Sequence, residues 1–433
     1  MKQLPYKLKL LIACLESSEQ ALTILQQAPR RKINWNLIHK LIIRHRLHHQ
    51  VYKNIKNLEL VPSAMRNSLA ELCAQDKLNL LSICGETIRI TRFFEQQQIK
   101  YCVVKGVAVA KIAYTTIDER SCKDIDIWVD PEHVLHACQS LTSLGYAITN
   151  PKYVLKGRKY TYFSKNRHEI ALYNAERKVE VELHFKLDYL GINYFKFNEA
   201  PILSIQINNN QINTLDHEYH FLYLIIHGSI HAWVRLRWLY DIKKYIDTQL
   251  VDIKQVIRLS SSIKCEHLVF QTFSLLHQFF RLNNPDACAF LEINNPVGVS
   301  LAKAGYQFIN ANYEFNTRVY GKMFFKYRIY LIKLAVKHEK LNALLGDWFK
   351  LDVLFERITL PDKIFWAYYI IYPLWVIMRL IQQTQQHKRQ RSNKRQFFNR
   401  SSAEANSQVK KLSFSTWLCK KIFSRTMGVN KQK

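Results

Sequence analysis

The chain has 433 residues, of which 48% are hydrophobic, enough for two or three domains with apolar cores. Its 11 glycines and 10 prolines are too few for a collagen-like chain or long flexible segments. The nine cysteines contain no C-x-x-C pair, which argues against a disulfide framework or zinc site and indicates free thiols in a reducing cytosol. A net charge of +29 favours anionic partners such as nucleotides, nucleic acid or an acidic membrane surface.

The positive charge is concentrated near the C-terminus. Residues 382–433 contain 13 Lys or Arg against one acid, so we predict a basic, flexible tail there. Ahead of it we predict a helical region over 1–98, a mixed region over 99–213 and a helical domain over 214–381. The first residues have only about six consecutive apolar positions, too few for a signal peptide, so we expect a cytoplasmic protein.

A helix, a strand and a glycine turn follow one another in the middle of the chain. Residues 80–98 show helical apolar spacing, and IKYCVV, 99–104, is typical of a short strand. The strand ends at Lys105 and Gly106, and VAVAKIAY, 107–114, predicts a helix. Free backbone amides at the start of that helix would make a phosphate site beside Gly106.

The next strand carries two acids. In DIDIWV, 124–129, side chains alternate between the two faces, so Asp124 and Asp126 share one face with Trp128. Asp130 is a candidate cap for the following helix, and Gly145 is suited to the left-handed residue that ends it.

Three further strands are predicted downstream, over 160–163 (YTYF), 168–173 (HEIALY) and 178–187 (KVEVELHFKL). In the last one, Glu180, Glu182 and His184 lie on one face and the apolar residues lie on the other. Buried acids at i and i+2 need a cation, protonation or water beside them. Mg²⁺ or Mn²⁺ is the simplest cation, since a carboxylate trio from two strands can hold two ions that bridge a nucleoside triphosphate. The alternative is that the acids lie on the solvated face of an edge strand.

The second half shows repeated i, i+3, i+4 apolar spacing from about residue 215 to 381, which predicts helices. In HGSIHAWVRLRWLYDI, 227–242, His227 and His231 are spaced to share a helical face, with Arg235 one turn further and Asp241 beyond. The acid of a zinc-protease H-E-x-x-H motif is absent, which argues against zinc. A helix facing the site and ordinary helix packing both remain open.

An uncharged run over 364–378 precedes the basic tail. It is shorter than the roughly 20 apolar residues that span a bilayer, so a core or interfacial helix is predicted. The basic cluster HKRQRSNKRQFFNR that follows suits an anionic membrane surface, contacted through residues 364–400. A solvated disordered tail and, ranked below the membrane, a nucleic-acid contact are the alternatives.

The arrangement of strand, glycine turn, D-x-D strand and later acidic strand resembles the DNA polymerase β-like nucleotidyltransferase superfamily, and within it a bacterial family of uncharacterised nucleotidyltransferases. The segments that carry this resemblance are VVKGVAVA (103–110), Arg120 with DIDIWV (124–129), GY (145–146), VEVELHF (179–185), HGSIHAWVRLRWLYDI (227–242), INWNLIHKLIIRHRL (33–47) and LPDKIFWAYYIIYPLWVIMRLI (360–381). The pair at the turn is Lys-Gly, where the superfamily usually has Gly-Ser, and the third acid is Glu where Asp is commoner.

The resemblance implies an α+β fold, with a mixed nucleotidyltransferase-type sheet, flanking and N-terminal helices, and a C-terminal helical domain. It implies two Mg²⁺ or Mn²⁺ ions on Asp124, Asp126 and Glu182, with Glu180 as a rival third acid. Glu182 would also accept the proton of an attacking hydroxyl. The residues expected to contact nucleotide or phosphate are Lys105, Gly106, Arg120, His184, His231 and Arg235.

The implied activity is transfer of a nucleoside monophosphate from a nucleoside triphosphate, ATP being the first choice, to a hydroxyl or phosphate acceptor. A cell-surface saccharide, lipid or peptide precursor is the expected acceptor class. The alternative is a nucleic-acid-binding or membrane-recruited protein with a degenerate nucleotidyltransferase fold. The expected location is the cytoplasm, with peripheral contact to the inner face of the membrane.

Overall fold

The computed structural model describes residues 4–27, 33–189, 192–193, 195–311, 322–335, 351–379, 381–382 and 385. The chain divides into two compact units, one of Met1–Trp348 with Phe355–Asp362 and one of Phe349–Leu354 with Lys363–Lys433. The domain boundaries predicted at residues 98, 213 and 381 remain predictions. The basic tail from 382 onward lies outside the described residues, apart from 382 and 385.

Helices make up most of the first unit. In chain order they are α1 (Tyr6–Glu16), α2 (Ser18–Gln27), α3 (Trp35–His45), α4 (His48–Ile55), α5 (Ser63–Gln96), α6 (Val107–Ala113), α7 (Val134–Ser143), α8 (Gly157–Asn166), α9 (His217–Ile230), α10 (Leu236–Asp247), α11 (Ile253–Ser262), α12 (Glu266–Phe280), α13 (Pro285–Leu291), α14 (Pro296–Ile309) and α15 (Lys322–Leu334). The helix expected from residue 80 is confirmed as the second half of α5, where the buried Ile83, Thr87, Ile90 and Phe94 recur at helical spacing.

The strands form one mixed sheet and two small hairpins. They are β1 (Tyr101–Val103), β2 (Asp124–Val129), β3 (Ala147–Asn150), β4 (Glu169–Asn174), β5 (Val179–His184), β6 (Asp188–Tyr189), β7 (Ile192–Asn193), β8 (Ile202–Ile207) and β9 (Asn210–Leu215). The main sheet has five strands in the order β1-β2-β5-β4-β3. Strands β2 and β5 are parallel neighbours, and the other pairs are antiparallel. The fold is therefore α+β, as expected.

Two apolar clusters lie on either side of β1 and β2, because their side chains alternate between faces. One cluster contains Ile125 and Ile127 with buried residues of α5, α6 and α7. The other contains Trp128 with Cys102 and buried residues of the N-terminal helices and of α9 to α15. The sheet thus has helices on both faces, and the acids of β2 lie on the same face as Trp128.

The strand predicted for YTYF, 160–163, is wrong, because these residues lie in α8. Only Phe163 is buried in that helix, so its aromatic side chains do not pack as a strand face. The local sequence lacks a capping side chain for α8. Instead the Asp362 carboxylate, about 200 residues away in sequence, accepts the Arg158 backbone N–H at 3.2 Å, and a long-range contact therefore stabilises the helix start.

The helix expected to run from His227 through Arg235 is interrupted. Helix α9 ends at Ile230, Ala232 and Trp233 take positive φ angles of 50° and 54°, and Arg235 precedes the first residue of α10. Trp233 is fully buried, and its ring packs so closely on Gly228 that an added Cβ there would lie 2.4 Å from it. Burial of this indole therefore ends the helix, and Arg235 does not share a helical face with His227 and His231.

In the second unit, residues 367–379 are helical. Phe365, Tyr368 and Tyr372 are buried, whereas a row of large apolar side chains is exposed. This exposed row consists of Trp366, Tyr369, Ile370, Leu374, Ile377, Met378 and Ile381. Among the described residues, no helix is long and apolar enough to cross a bilayer.

Candidate active site

The two acids of β2 face acids of β5 across a parallel strand pair. In the register, Asp124 lies opposite Glu180, Asp126 opposite Glu182, and Trp128 opposite His184. The face predicted from alternation is therefore continued on the neighbouring strand. Asp126 is almost completely buried, with 3% of its surface exposed.

Lys105 and His184 contact the Asp126 carboxylate. The Lys105 Nζ lies 2.5 Å from Asp126 Oδ1 and 3.8 Å from Glu182 Oε2. The His184 Nε2 lies 3.2 Å from Asp126 Oδ1 and 3.7 Å from Glu182 Oε2. The predicted residues Lys105, Asp126, Glu182 and His184 thus meet in one cluster.

The structure distinguishes the two candidate third acids by their surroundings. Glu182 is partly buried beside Asp126 and Lys105, whereas Glu180 is exposed and lies opposite Asp124, nearer the start of β5. Burial and the Asp124 charge raise the pKa of Glu180. The geometry therefore favours Glu182 as the partner of Asp126.

The carboxylates of the site shift one another's pKa values. Burial and the Asp126 charge raise the pKa of Glu182 to about 9, against the opposing effect of Lys105. Burial would also raise the pKa of Asp126, but Lys105 and His184 outweigh it and hold that pKa well below its usual range. Burial and Asp126 raise the pKa of Asp124. The site therefore has more carboxylates than Lys105 neutralises, and Glu182 holds a proton at neutral pH.

These donors suit a divalent cation. One ligand atom each from Asp126, Glu182 and His184 can be chosen so that all lie within 4.8 Å of one another. Asp124 adds a further carboxylate on the same face. Hard carboxylate oxygens are the usual ligands of Mg²⁺ and Mn²⁺, and an added cation would remove the charge imbalance that protonates Glu182.

Gly106 forms the turn between β1 and α6, in a backbone conformation that is unfavourable for residues with a Cβ. Its φ and ψ angles are 56° and −116°, and an added Cβ would lie 3.4 Å from the Asp124 carbonyl oxygen. On the strand side of the turn, the Val104 N–H donates to the Asp126 carbonyl at 3.1 Å, and His220 Nε2 donates to the Val104 carbonyl at 2.9 Å. These contacts hold Lys105 beside the carboxylates.

Arg120, a predicted phosphate contact, pairs with buried groups of the protein. Its Nη1 donates to the Gly106 carbonyl at 3.1 Å, and its other guanidinium nitrogens pair with Asp241. Only 4% of the residue is exposed. Its donors are thus committed to buried acceptors and support the Gly106 turn, and the phosphate contact of Arg120 remains a prediction.

A group of ring and cation–π contacts lies near Lys105 and consists of His227, His231, Arg235 and Trp238. The His227 and His231 ring centroids are 4.7 Å apart, and the Arg235 guanidinium carbon lies 5.8 Å from the Trp238 ring centroid. Burial, followed by the charge of Lys105, lowers the pKa of His231 to about 4 and holds that of His227 well below its usual range. Both imidazoles are therefore neutral at pH 7.

Glu169 is a site residue that sequence reasoning missed. It lies opposite His184 in the β4–β5 pair, and its Oε2 is 3.6 Å from His184 Nδ1. His168 stacks on the same imidazole with ring centroids 6.0 Å apart. Alternation in HEIALY places Glu169 on one face of its strand, but only the pairing of β4 with β5 shows which face points to the site.

Comparisons with known proteins show to which family the chain belongs. No curated protein matches the chain. A nucleotidyltransferase-like protein of known structure from Paracoccidioides brasiliensis, described as antigenic, aligns with 49% of this chain and 92% of its own, at 13% identity and a TM-score of 0.33. The sequence profile of the uncharacterised nucleotidyltransferase family matches residues 31–281, which include α3 to α12 and the whole sheet. The chain therefore belongs to the uncharacterised nucleotidyltransferase family.

Proposed function

We propose that this nucleotidyltransferase moves a nucleoside monophosphate from a nucleoside triphosphate, ATP being the first candidate, to a hydroxyl or phosphate acceptor. The observation that carries the proposal is the convergence of Asp126, Glu182 and His184 beside Lys105 on adjacent parallel strands. A buried acidic group of this kind, next to a lysine and a glycine turn, suits a metal-bound triphosphate.

Asp124, Asp126 and Glu182 would hold two Mg²⁺ or Mn²⁺ ions. Such ions, when bound, supply positive charge that stabilises the transferring phosphoryl group and the leaving pyrophosphate. Lys105 contributes an ammonium group to the triphosphate, since it already lies among the carboxylates that bind the ions. Gly106 lets the triphosphate approach the backbone, because it has no Cβ and occupies a turn that favours glycine.

In the proposed reaction the acceptor oxygen forms a bond to the α-phosphorus, and the bond between the α-phosphorus and the bridging oxygen to the β-phosphate breaks. Pyrophosphate leaves with the electron pair of that bond. Glu182 accepts the proton of an attacking hydroxyl, after a bound cation has displaced the proton that Glu182 holds in the metal-free site. A phosphate acceptor attacks through an ionised oxygen and needs no such base.

Other side chains would position these groups. His184 orients the Asp126 carboxylate through the 3.2 Å contact, and Glu169 lies on the other side of the same imidazole. His231 and Arg235 remain candidates for contacts to the acceptor or the phosphates. The charges of Lys105 and Arg235 both lower the pKa of His231, which places these three side chains near one another. The proposed acceptor class is a cell-surface saccharide, lipid or peptide precursor.

The test compares triphosphates labelled at the α or the γ phosphate. Full-length protein is incubated with each label, Mg²⁺ and a cell extract that contains membranes. Retention of label on an extract component from the α position alone is the expected result. Asp126→Asn should abolish it, whereas Asp118→Asn should not, because Asp118 is a partly exposed acid that pairs with Lys77. Retention from the γ position alone would contradict nucleotidyl transfer.

A specific observation also favours recruitment to an anionic membrane. Five members of the exposed apolar row, at positions 366, 370, 374, 377 and 381, recur at helical spacing and so form one stripe. Seven Lys or Arg and no acid occur between residues 379 and 400. An apolar stripe that leads into a basic segment suits an interfacial helix at an acidic leaflet better than it suits a nucleic acid.

A further inference from the structure

A cluster of two histidines and one aspartate lies outside the carboxylate site and shares no residue with it. His48 and His49 begin α4, and Asp76 lies on α5. His48 Nε2 is 2.7 Å from Asp76 Oδ2, and His49 Nε2 is 3.4 Å from the same oxygen. One ligand atom from each residue lies within 4.8 Å of the others. We propose that His48, His49 and Asp76 form a binding site for Zn²⁺.

The two distances to Asp76 Oδ2 are close to the ligand spacing of a tetrahedral zinc site. Bonds of about 2.05 Å to nitrogen and oxygen place neighbouring tetrahedral ligands roughly 3.3 Å apart. The distance from His49 Nε2 to Asp76 Oδ2 already has this value, and that from His48 Nε2 is shorter by about 0.6 Å. The His48 Nε2 must therefore lie about 0.6 Å further from Asp76 Oδ2 when the ion is bound.

His49 supplies a second and independent observation. Its side chain is 92% buried, and its Nε2, although 3.4 Å from Asp76 Oδ2, makes no hydrogen bond to a described residue. A buried ring nitrogen without a partner costs free energy, so such groups in native proteins need an explanation. A metal bond from Nε2 would satisfy the atom.

The kinds of donor atom in the cluster, and their access to solvent, indicate which ion would bind. Two imidazole nitrogens with one carboxylate suit Zn²⁺, whereas Mg²⁺ prefers oxygen donors. The Asp76 side chain is 22% exposed, so an ion can enter from solvent and keep water as a further ligand. Zinc would replace a proton in the contact between His48 and Asp76.

The site joins the two helices that support the approach to β2. From α4, Gln50 donates to the Glu119 carbonyl and Lys53 pairs with the Glu119 carboxylate at 2.7 Å. From α5, Lys77 pairs with Asp118 at 2.7 Å. Zinc between α4 and α5 would therefore stabilise the turn that leads into Arg120 and the acids of β2.

The experiment measures zinc stoichiometry in the full-length protein after removal of metals with a chelator. Isothermal titration with Zn²⁺ should show one equivalent more in the unmodified protein than in His49→Gln or in Asp76→Asn. Zinc at the carboxylate site would be common to all three proteins and cancels in this comparison. His39→Gln is the matched control, since His39 contacts Ser68 of α5 from α3 and lies outside the cluster.

Cobalt gives a readout that is independent of activity. Co²⁺ bound to imidazole nitrogens produces visible absorption, so saturating Co²⁺ should give less absorbance in both variants than in the unmodified protein and the control. Equal zinc stoichiometry in the unmodified protein and in the folded variants would overturn the proposal. If one variant fails to fold, as judged by circular dichroism, the other decides.

Discussion

Arg120 forms a two-point ion pair with Asp241, which lies 121 residues further along the chain. The Arg120 Nε to Asp241 Oδ1 and Nη2 to Oδ2 distances are both 3.0 Å. The Tyr114 hydroxyl donates to the same Oδ1 at 2.6 Å. Because Arg120 also donates to the Gly106 carbonyl, a buried chain of contacts connects α10 to the turn that carries Lys105.

Replacing Arg120 with Met should lower the free energy of unfolding by about 3–5 kcal/mol, since it leaves the Asp241 carboxylate buried without a counter-charge. The double variant Arg120→Met, Asp241→Leu should regain part of this loss, because no buried charge remains. Urea unfolding followed by tryptophan fluorescence measures both. Unchanged stability in Arg120→Met, with a raised KM for the triphosphate, would support the predicted phosphate contact of Arg120 over this structural role.

Glu182→Gln should reduce the rate of nucleotidyl transfer by about 10²–10⁴-fold, because the amide can neither accept a proton nor supply a charged ligand. Glu180→Gln is the matched control, since Glu180 is exposed on the same strand and should keep near-normal activity. Initial rates of transfer at saturating triphosphate, measured for both variants and the unmodified protein, test this difference. The reverse order of effects would make Glu180 the third acid.

Gly106→Ala should destabilise the protein by about 1–3 kcal/mol, because its φ of 56° and ψ of −116° are unfavourable for residues with a Cβ. It should also impair transfer, since the turn positions Lys105. Gly85→Ala in α5 is the control. No atom lies within 4 Å of an added Cβ there, so helix propensity should stabilise the protein by up to about 1 kcal/mol. Equal stability changes would contradict the strained turn.

His220 should make stability fall as the pH is lowered. Burial, opposed by the hydrogen bond to Val104, lowers its pKa to about 4. Between about pH 6.5 and 4 the unfolded chain therefore binds a proton that the folded chain does not, which costs about 3 kcal/mol across that range. At higher pH the ring is neutral in both states, so its contribution is fully present.

The His220→Gln variant isolates this contribution. Glutamine keeps a donor for the Val104 carbonyl but does not titrate, so the variant should lose less stability than the unmodified protein between pH 6.5 and 4. Urea midpoints at several pH values give the difference. Parallel curves for the two proteins would show that His220 takes up its proton equally in both states.

Binding to anionic vesicles should depend on the exposed apolar row. Changing Trp366, Ile370 and Leu374 to Ser should reduce flotation with acidic phospholipid vesicles at least about tenfold, because each loses apolar area to bury in the interface. Leu78→Ser with Leu81→Ser is the control, since these exposed leucines lie on α5. Added salt should weaken binding. Unchanged flotation, or binding to DNA in its place, would reject the membrane surface.

Some of the site was readable from sequence because it depends on local geometry. The shared face of Asp124 and Asp126, and that of Glu182 and His184, follow from alternation along a strand, which needs no knowledge of distant residues. Gly106 as a turn residue followed from its position between a strand and a helix, and its positive φ agrees with that prediction. Each of these predictions concerns residues close together in the chain.

The tertiary structure decided which of these faces meet. Pairing of β2 with β5 brings Glu182 to Asp126, and pairing of β4 with β5 adds Glu169, which the sequence had not indicated. The helix that contains YTYF is capped by the distant Asp362, and the partner of Arg120 is Asp241. The physical reason is the same throughout: strand pairing, long-range capping and buried ion pairs join residues that are distant in sequence, so local propensity and periodicity do not encode them.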